Sequence, residues 1–432
     1  MDSGNGCPDS DGSGTGNGSS GSCGSTPFLK AVKSDGTPVI LNDVLKGSPT
    51  SFFYDRSHGL EALEAGQVGF DLYPVSLSEL KQESGSISFN LKEIEPEESY
   101  IKHLSYGFCS VPSNCDLVTD QTHQNLYGRP TARPVDTDIA YVNRSSIADK
   151  KNFSAQELCR GRIVDDQDTL KSESLFLQDQ DAVSFSVKRK NRTSDQTYIS
   201  VGAFWRRLLS EEYYSHRVKE LTETKRFNSV FVRARHYAIT AFSMLALLAS
   251  SMFIAKVDDD SVLSKANNTQ TAHASAPRSL HVYYRNRYNQ NVYFATIHPR
   301  YRLVYDTVVA IPNEAYYEDE AHIVIQATED HYIYSLGVTD RLEDVSIGDF
   351  SPIEGLLNGT KSIQPPSEGV PLITAPGDNL AFTVPAPKST DNISHIVFKI
   401  HGFYVPLLDL DDTKVLDWWS KLDTEERQLY VS

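Results

Sequence analysis

Short strand-like segments, broken by Gly, Pro, Ser and Asn, recur along two long stretches of this chain and constrain its fold more than any other feature. Between residue 26 and about residue 145, β-branched, aromatic or alternating apolar residues predict strands at 38–41, 51–55, 68–77 and 86–94. After residue 280 the same signals predict strands at 280–284, 292–297, 301–311, 322–326, 331–338, 379–385 and 395–406. Strands joined by loops, without alternating helices, favour an antiparallel all-β architecture over a doubly wound fold.

Two segments between these stretches have helical character. Residues 203–222 place apolar side chains near one face and charges opposite, which predicts an amphipathic helix. Residues 237–255 form the one long apolar run of the chain, without a charge across 19 residues. Residues 129–200 are polar and indicate a long connection, and residues 351–378 are rich in Pro and Gly and predict a surface loop. The sequence predicts no internal repeat.

The first 25 residues predict a flexible tail. They are mostly Gly, Ser, Asn and Asp, with no Lys, no Arg and no apolar run, so they lack the features of a secretory signal peptide. The whole chain carries a formal charge of −16. This balance argues against a protein that coats nucleic acid through its bulk charge.

The apolar run 237–255 allows two interpretations. Basic residues before it and Asp258 to Asp260 after it fit a single membrane span. Its serines, threonine and alanines favour a buried helix on a β core instead, and that is our expectation. Six Asn-x-Ser/Thr sequons lie on both sides of the run, which favours chance matches over glycosylation sites, at Asn143, Asn152, Asn191, Asn267, Asn358 and Asn392.

One segment carries a binding pattern. Residues 283–305 interleave aromatic residues with Arg285, Arg287, Arg300 and Arg302, a combination that single-stranded nucleic-acid binding uses. The same pattern arises on any antiparallel strand pair with one wet face, and we prefer that structural interpretation.

Enzymatic motifs are absent from the sequence. It has no P-loop, no His-Glu-x-x-His and no nucleophile elbow on a strand-to-helix turn, so we expect no catalytic residues, no cofactor and no metal site. The five cysteines include Cys109 and Cys115, which are close enough in sequence for a local disulfide but equally compatible with free thiols.

Three segments together resemble a known family. Residues 200–209 combine an aromatic residue, two arginines and two leucines, residues 242–253 form an Ala/Leu-rich helix, and residues 379–385 read as a strand that ends in Val-Pro. In this order, after a disordered leader, they are similar to the jelly-roll capsid proteins of picorna-like positive-strand RNA viruses. The resemblance covers roughly residues 200–406.

The resemblance implies an antiparallel jelly-roll β-sandwich with one or two helices. The strands predicted before residue 146, which it does not cover, add an N-terminal β-rich extension, so we expect a mainly β protein. The expected parts are a flexible tail (1–25), a small β-rich domain or extended arm (26–145), a polar connection (146–200), a jelly-roll domain (201–406) and an acidic tail or short docking helix (407–432).

The implied function is that of a structural coat protein that assembles into an icosahedral shell, in the virion and, during assembly, in the host cytoplasm. Its partners would be other capsid subunits. Contact of the inner face with genomic RNA is an open alternative, and the sequence identifies no receptor. Trp205, Trp418 and Trp419 are the candidate anchors, in an interface or in the core. The alternatives are a single-pass membrane glycoprotein spanning at 237–255 and a β-sandwich enzyme or carbohydrate-binding module.

Overall fold

The fold was analysed in a computed structural model that describes residues 27–45, 51, 53, 55–94, 97–130, 140–142, 175–178, 180–189, 196–205, 279–300, 306–328, 331–363, 371–387, 393–407 and 412–428. Within these residues the chain is mainly β and consistent with a β-sandwich, which confirms the predicted fold class at that level. The tail 1–25 and the apolar run 237–255 lie outside the described residues.

Strands make up most of the described chain. The strands before residue 206 are β1 (Phe28–Val32), β2 (Pro38–Asp43), β3 (Phe70–Ser76), β4 (Ser86–Lys92), β5 (Glu97–Ser110), β6 (Cys115–Asp120), β7 (Leu126–Pro130), β8 (Ala140–Val142), β9 (Leu175–Leu177), β10 (Ala182–Lys188) and β11 (Tyr198–Trp205). Those from residue 280 to 344 are β12 (Leu280–Arg285), β13 (Asn291–Ile297), β14 (Thr307–Ala310), β15 (Tyr316–Tyr317), β16 (Glu320–Ala327), β17 (His331–Thr339) and β18 (Glu343–Asp344). The remaining strands are β19 (Ser346–Ile347), β20 (Ser351–Pro352), β21 (Gly355–Leu357), β22 (Lys361–Ile363), β23 (Leu372–Thr374), β24 (Asn379–Pro385) and β25 (His395–Pro406).

These strands form four sheets. Sheet 1 has the order β2-β1-β4-β24-β21-β22, and sheet 2 has the order β19-β5-β25-β3, with β20 and β23 also paired to β5. Sheet 3 has the order β18-β7-β6-β14-β11-β17-β9, and sheet 4 has the order β13-β12-β16-β10-β8, with β15 paired to β16. The described strands pair antiparallel throughout, except that β6 and β14 run parallel.

Sheets 1 and 2 enclose one buried apolar cluster, and we call this pair of sheets the terminal lobe. Its core side chains alternate along both sheets, as in Ile87, Phe89 and Leu91 of β4, because successive residues of a strand face opposite sides. Phe89 stacks on Phe382 of the neighbouring strand and meets Phe398 of sheet 2 edge to face at 4.9 Å. The terminal lobe therefore joins residues 27–110 with residues 346–407.

Sheets 3 and 4 enclose the second apolar cluster, and we call them the central lobe. Val183, Phe185 and Val187 of β10 face Ile199 and Val201 of β11 across this core. The predicted polar connection 146–200 thus contains buried strands, and residues 203–205 of the predicted helix 203–222 are the end of β11. Residues 206–222 lie outside the described residues.

The lobes contact each other through sheets 2 and 3. Leu72 and Val397 on the outer face of sheet 2 pack with Leu117 of β6 and Leu126 of β7 in a buried apolar cluster. Sheet 2 is therefore covered on both faces. The strands predicted in 26–145 share sheets with strands after residue 346, so the sheets do not divide at the boundaries suggested by the sequence.

Three α-helices are described: α1 (Arg56–Glu64), α2 (Asp412–Lys421) and α3 (Thr424–Gln428). Asp55 caps α1, since its Oδ1 accepts the amides of Ser57 at 2.9 Å and His58 at 3.2 Å. The predicted strand 51–55 is not observed in the part of that segment that is described. Helices α2 and α3 belong to a separate compact unit and lie in the segment 407–432, for which the sequence predicts an acidic tail or a short docking helix.

Candidate interaction surface

The three predicted tryptophan anchors lie in two places. Trp205 is the last residue of β11, opposite His331 of β17, and its side chain lies outside the described part of the chain. Trp418 on α2 is only 1% exposed, which fits the core role, whereas its neighbour Trp419 is half-buried. The two rings meet at 6.0 Å with an interplanar angle of 66°.

The aromatic and arginine-rich segment 283–305 is split by the fold. Tyr283 and Tyr293 face outward from β12 and β13, which form a hairpin at the edge of sheet 4. Arg300 instead lies buried at the junction of the lobes, and Arg302 lies outside the described residues. The predicted wet strand pair is therefore present, but its arginines do not gather on one surface.

An exposed aromatic surface occupies this hairpin, and we call it the hairpin surface: His281, Tyr283, Arg287, Tyr288 and Tyr293. The Tyr283 and Tyr293 rings lie 5.9 Å apart at 71°, and His281 meets Tyr293 at 5.9 Å and 77°. Tyr293 is 54% exposed and Tyr288 67% exposed. At the tip, Arg287 lies 4.8 Å from the centre of the Tyr288 ring and donates to its hydroxyl at 2.7 Å.

Charges of both signs, Arg285 and Glu320, lie near His322 beside the hairpin surface. Burial and then the nearby Arg285 lower the pKa of His322 on β16, while Glu320 opposes them. The imidazole of His322 is thus kept neutral near pH 7. Large exposed aromatic side chains flanked by Arg are typical of surfaces that are covered in a complex.

A buried polar network lies on the other sheet of the central lobe. Arg129 of β7 is 1% exposed and pairs with Asp306, which is 4% exposed, and with Ser200 of β11. Asp306 also accepts the Ser335 hydroxyl at 2.8 Å, and Arg129 reaches Asp116 at 3.2 Å. A fully buried ion pair without access to solvent is a structural element of sheet 3, since no substrate could reach it.

A second buried ion pair joins the lobes. Arg300 pairs with Asp71 of β3, and its guanidinium lies 4.8 Å from the centre of the Tyr73 ring. Beside it, His123 Nε2 donates to the His298 carbonyl at 3.0 Å. Burial and the adjacent Arg300 hold the pKa of His123 well below its usual range. The Arg300–Asp71 pair joins the two lobes, together with the Leu72 amide, which donates to the His123 carbonyl at 2.9 Å.

The terminal lobe buries an acid instead of an ion pair. Glu93, after β4, is fully buried, and its Oε2 accepts the hydroxyls of Ser99 at 2.8 Å and Thr374 at 3.2 Å. Burial raises the pKa of Glu93 well above its usual range, and the charge of Asp378 adds to this shift. Glu93 therefore tends to hold a proton.

A cleft of about 460 Å³ lies at one end of the central lobe and includes Tyr127, Tyr198 and Val308 in its lining. Asp120 also lines it, but this carboxylate accepts the amides of Thr122 and Gln124 and so organises its own turn. The polar groups of Asp120 are thus turned to the backbone and not offered to a ligand.

The chemical sites considered in the sequence find little support. No group of three metal-ligating side chains occurs among the residues that the structure describes. Cys109 and Cys115 are free thiols, and burial raises the pKa of Cys109 to about 12. No helix in the described ranges is long and apolar enough to cross a bilayer.

Comparison with known proteins returned no match: no family model, no curated protein and no solved structure resembles this chain closely enough to be identified. The sequence pattern had drawn attention to residues 283–305, but it gave no signal for the buried pairs. Their partners lie far apart in the chain, as Arg129 and Asp306 do.

Proposed function

We propose that this chain is a structural subunit of a closed protein shell, the coat protein of a non-enveloped RNA virus. The observation that carries the proposal is the order of the strands in both lobes. In a jelly roll, eight strands named B to I form two packed antiparallel sheets in the orders B-I-D-G and C-H-E-F.

The strand order of the terminal lobe supports a jelly roll if its first strand in the chain, β1, is assigned as strand I. Four neighbouring strands of sheet 1 take the order B-I-D-G, and four of sheet 2 take the order C-H-E-F, namely β2-β1-β4-β24 and β3-β25-β5-β23. Two differences are that strand I comes first in the chain, joined to strand B through a tight hairpin, and that the central lobe lies between strands E and F in the sequence.

The central lobe supports the same reading independently. Sheet 4 supplies B-I-D-G and sheet 3 supplies C-H-E-F, as β13-β12-β16-β10 and β14-β11-β17-β9. Two sandwiches with one strand order, joined by the buried Arg300–Asp71 pair, are consistent with a subunit that tiles a surface. The hairpin surface of the central lobe would then be covered by a neighbouring subunit.

The acidic charge of −16 shapes the partners in this proposal. A subunit of this charge cannot neutralise a packaged genome alone, so polyamines, metal ions or sibling subunits would supply the positive charge. The chain would form part of the shell wall next to such subunits.

The proposal is tested by expressing the full chain alone and with its sibling coat subunits. Electron microscopy and analytical ultracentrifugation should detect closed particles or ring-shaped parts of them. A chain that stays monomeric at high concentration, with and without those subunits, would overturn it.

A further inference from the structure

The two lobes contain corresponding hairpins at their edges. Residues 33–37 link β1 to β2, and residues 286–290 link β12 to β13. In each turn the first residue donates its amide to the carbonyl of the fifth, at 2.8 and 2.9 Å, and the fourth donates to the first, at 2.8 and 2.9 Å. The fourth residue has positive φ in both, +91° at Gly36 and +61° at Asn289. Both hairpins also contain a β-bulge.

A second pair of segments corresponds in sequence as well as geometry. In the turns 178–181 and 375–378 the closing aspartate, Asp181 or Asp378, accepts the amide three residues earlier at 2.9 Å. The strands that follow read Val-Ser-Phe-Ser-Val and Leu-Ala-Phe-Thr-Val, at 183–187 and 380–384. The central Phe is buried in the core of its lobe in both cases.

A third correspondence lies in β11 and β25. Each strand has a β-bulge at a glycine, Gly202 or Gly402, where it pairs with β17 or β5. Neither glycine has room for a side chain. A Cβ would lie 2.3 Å from the Ser335 hydroxyl in one and 2.3 Å from the Tyr100 carbonyl in the other.

Taken in chain order, these elements form two equivalent halves. The first half contributes β1 to β5 and then β9 to β11, and the second contributes β12, β13, β14, β16, β17 and then β23 to β25. Six antiparallel pairings recur between corresponding strands. They are β1–β2, β1–β4, β4–β24, β3–β25, β5–β25 and β5–β23 in the terminal lobe, and β12–β13, β12–β16, β16–β10, β14–β11, β17–β11 and β17–β9 in the central lobe.

The halves do not coincide with the lobes. The first five strands of the first half build the terminal lobe, but its last three complete the central lobe. The second half does the reverse. We infer that the chain is an internal duplication whose two halves have exchanged their last three strands, so that each half supplies the partner that the other half needs.

The crossings between the lobes support this arrangement. The chain leaves the terminal lobe after β5 and returns to it before β19. Near these crossings β7 pairs with β18, with Gly128 opposite Glu343 and Tyr127 opposite Asp344. The segment that leaves the terminal lobe is thus hydrogen-bonded, through β7 and β18, to the segment that returns to it. The apolar cluster around Leu117 packs the leaving segment against sheet 2. Neither half can complete a sandwich alone, so the halves remain one subunit even if the chain is cut between them.

Disulfide trapping distinguishes exchanged from unexchanged halves. Ser88 of β4 lies opposite Thr383 of β24, and both are exposed. In unexchanged halves β4 would pair with β10 instead, which would place Ser186, the counterpart of Thr383, opposite Ser88. With the five native cysteines replaced by alanine, we expect Ser88→Cys/Thr383→Cys to form a bond and Ser88→Cys/Ser186→Cys to form none. A bond in the second pair, or in neither, would overturn the inference.

A cleavable chain tests the consequence. A specific protease site is inserted within residues 206–278 of the full chain and cut after purification. The two fragments should co-elute as one species, and the oxidised Ser88→Cys/Thr383→Cys bond should join them on a denaturing gel. The control pair Lys30→Cys/Asn90→Cys, opposite each other on β1 and β4, should leave the fragments separable. Two independent folded fragments after cutting would refute the exchange. This result is separate from shell assembly, which can fail while the exchange stands.

Discussion

The terminal and central lobes share one strand topology but bury charge in opposite ways. The central lobe neutralises a buried guanidinium with a buried carboxylate, Arg129 with Asp306. The terminal lobe buries the acid Glu93 among hydroxyls, where a raised pKa favours the protonated form. A paired charge is insensitive to pH near neutrality but depends on its partner, whereas a protonated acid needs no countercharge but responds to pH.

The two lobes also differ on the faces of sheets 2 and 3 that point away from their own cores. The outer face of sheet 2 is apolar because it packs on the central lobe through Leu72 and Val397. The outer face of sheet 3 carries Ser200 and Ser335, which supply hydrogen bonds to the buried pair. Equivalent sandwiches can therefore diverge on their outer faces while their inner faces keep the same alternation of apolar residues.

The largest effect is expected from breaking the central pair. Asp306→Asn removes the buried countercharge of Arg129 and leaves only the partly exposed Asp116 beside it, so we expect a loss of about 3–5 kcal/mol in the free energy of unfolding. Urea denaturation measures this loss, and hydrogen exchange should locate it in sheet 3. Asp116→Asn is the matched control, because Asp116 is 29% exposed and its loss should cost far less. Equal effects of the two variants would show that the pair does not govern the central lobe.

A slightly smaller effect should come from the two bulge glycines. Gly402→Ala places a methyl group against the fixed Tyr100 carbonyl, so the terminal lobe should lose about 3 kcal/mol. Gly202→Ala meets side chains, the Ser335 hydroxyl and the Tyr334 ring, which can shift, and should cost about 1–2 kcal/mol. Thermal unfolding of both variants tests the order. A larger loss for Gly202→Ala would contradict it.

The sequence predicted those strands whose apolar residues alternate clearly. The strand expected at 379–385 coincides with β24, and that at 331–338 lies within β17. It missed β5 because Lys102, His103 and Ser105 interrupt the apolar pattern, although β5 is a central strand of sheet 2. Alternation of apolar and polar residues indicates a half-buried strand, so a strand whose apolar positions are interrupted by polar residues is hard to predict from sequence.

The sharing of sheets could not be predicted in the same way. β4 pairs with β24, about two thirds of the chain length away, and no local pattern encodes that partner. The proposed duplication departs from the expectation that the chain has no internal repeat. Its clearest trace is the Asp that begins each of the segments 181–187 and 378–384, followed after one unmatched residue by apolar, small, Phe, hydroxyl and Val positions. The repeat is short because only the inward-facing positions and the turn aspartate are constrained.

A smaller, pH-dependent effect should distinguish the terminal lobe. The folded pKa of Glu93 is raised above its unfolded value, so its contribution to stability is complete below about pH 4.5 and is lost as pH rises through the folded pKa. Glu93→Gln keeps an acceptor for Ser99 and Thr374 without the charge. We therefore expect the variant to be more stable than the natural chain at neutral pH and nearly equal to it in acid.

Denaturation at several pH values measures the Glu93 effect. The control is Glu83→Gln in the same lobe, whose carboxylate is 63% exposed beside Lys81 and should leave the pH profile unchanged. A parallel pH profile for Glu93→Gln and the natural chain would exclude the buried acid as the source of the difference between the lobes.

The smallest effect on stability, and a selective effect on assembly, is expected at the hairpin surface of the central lobe. Tyr293 is 54% exposed and lies outside the core, so Tyr293→Ala should change the free energy of unfolding by less than about 0.5 kcal/mol. If a neighbouring subunit covers this surface, loss of the ring should weaken each contact by about 2 kcal/mol, as for an aromatic hot spot, and raise the concentration needed for assembly about 30-fold. Sedimentation across a concentration series measures both the particles and the free subunit.

Tyr317→Ala is the matched control, since Tyr317 is 67% exposed on β15 of the same sheet but outside the hairpin surface. An equal reduction in both variants would indicate a general loss of aromatic surface, and no reduction in Tyr293→Ala would place the contact between subunits elsewhere.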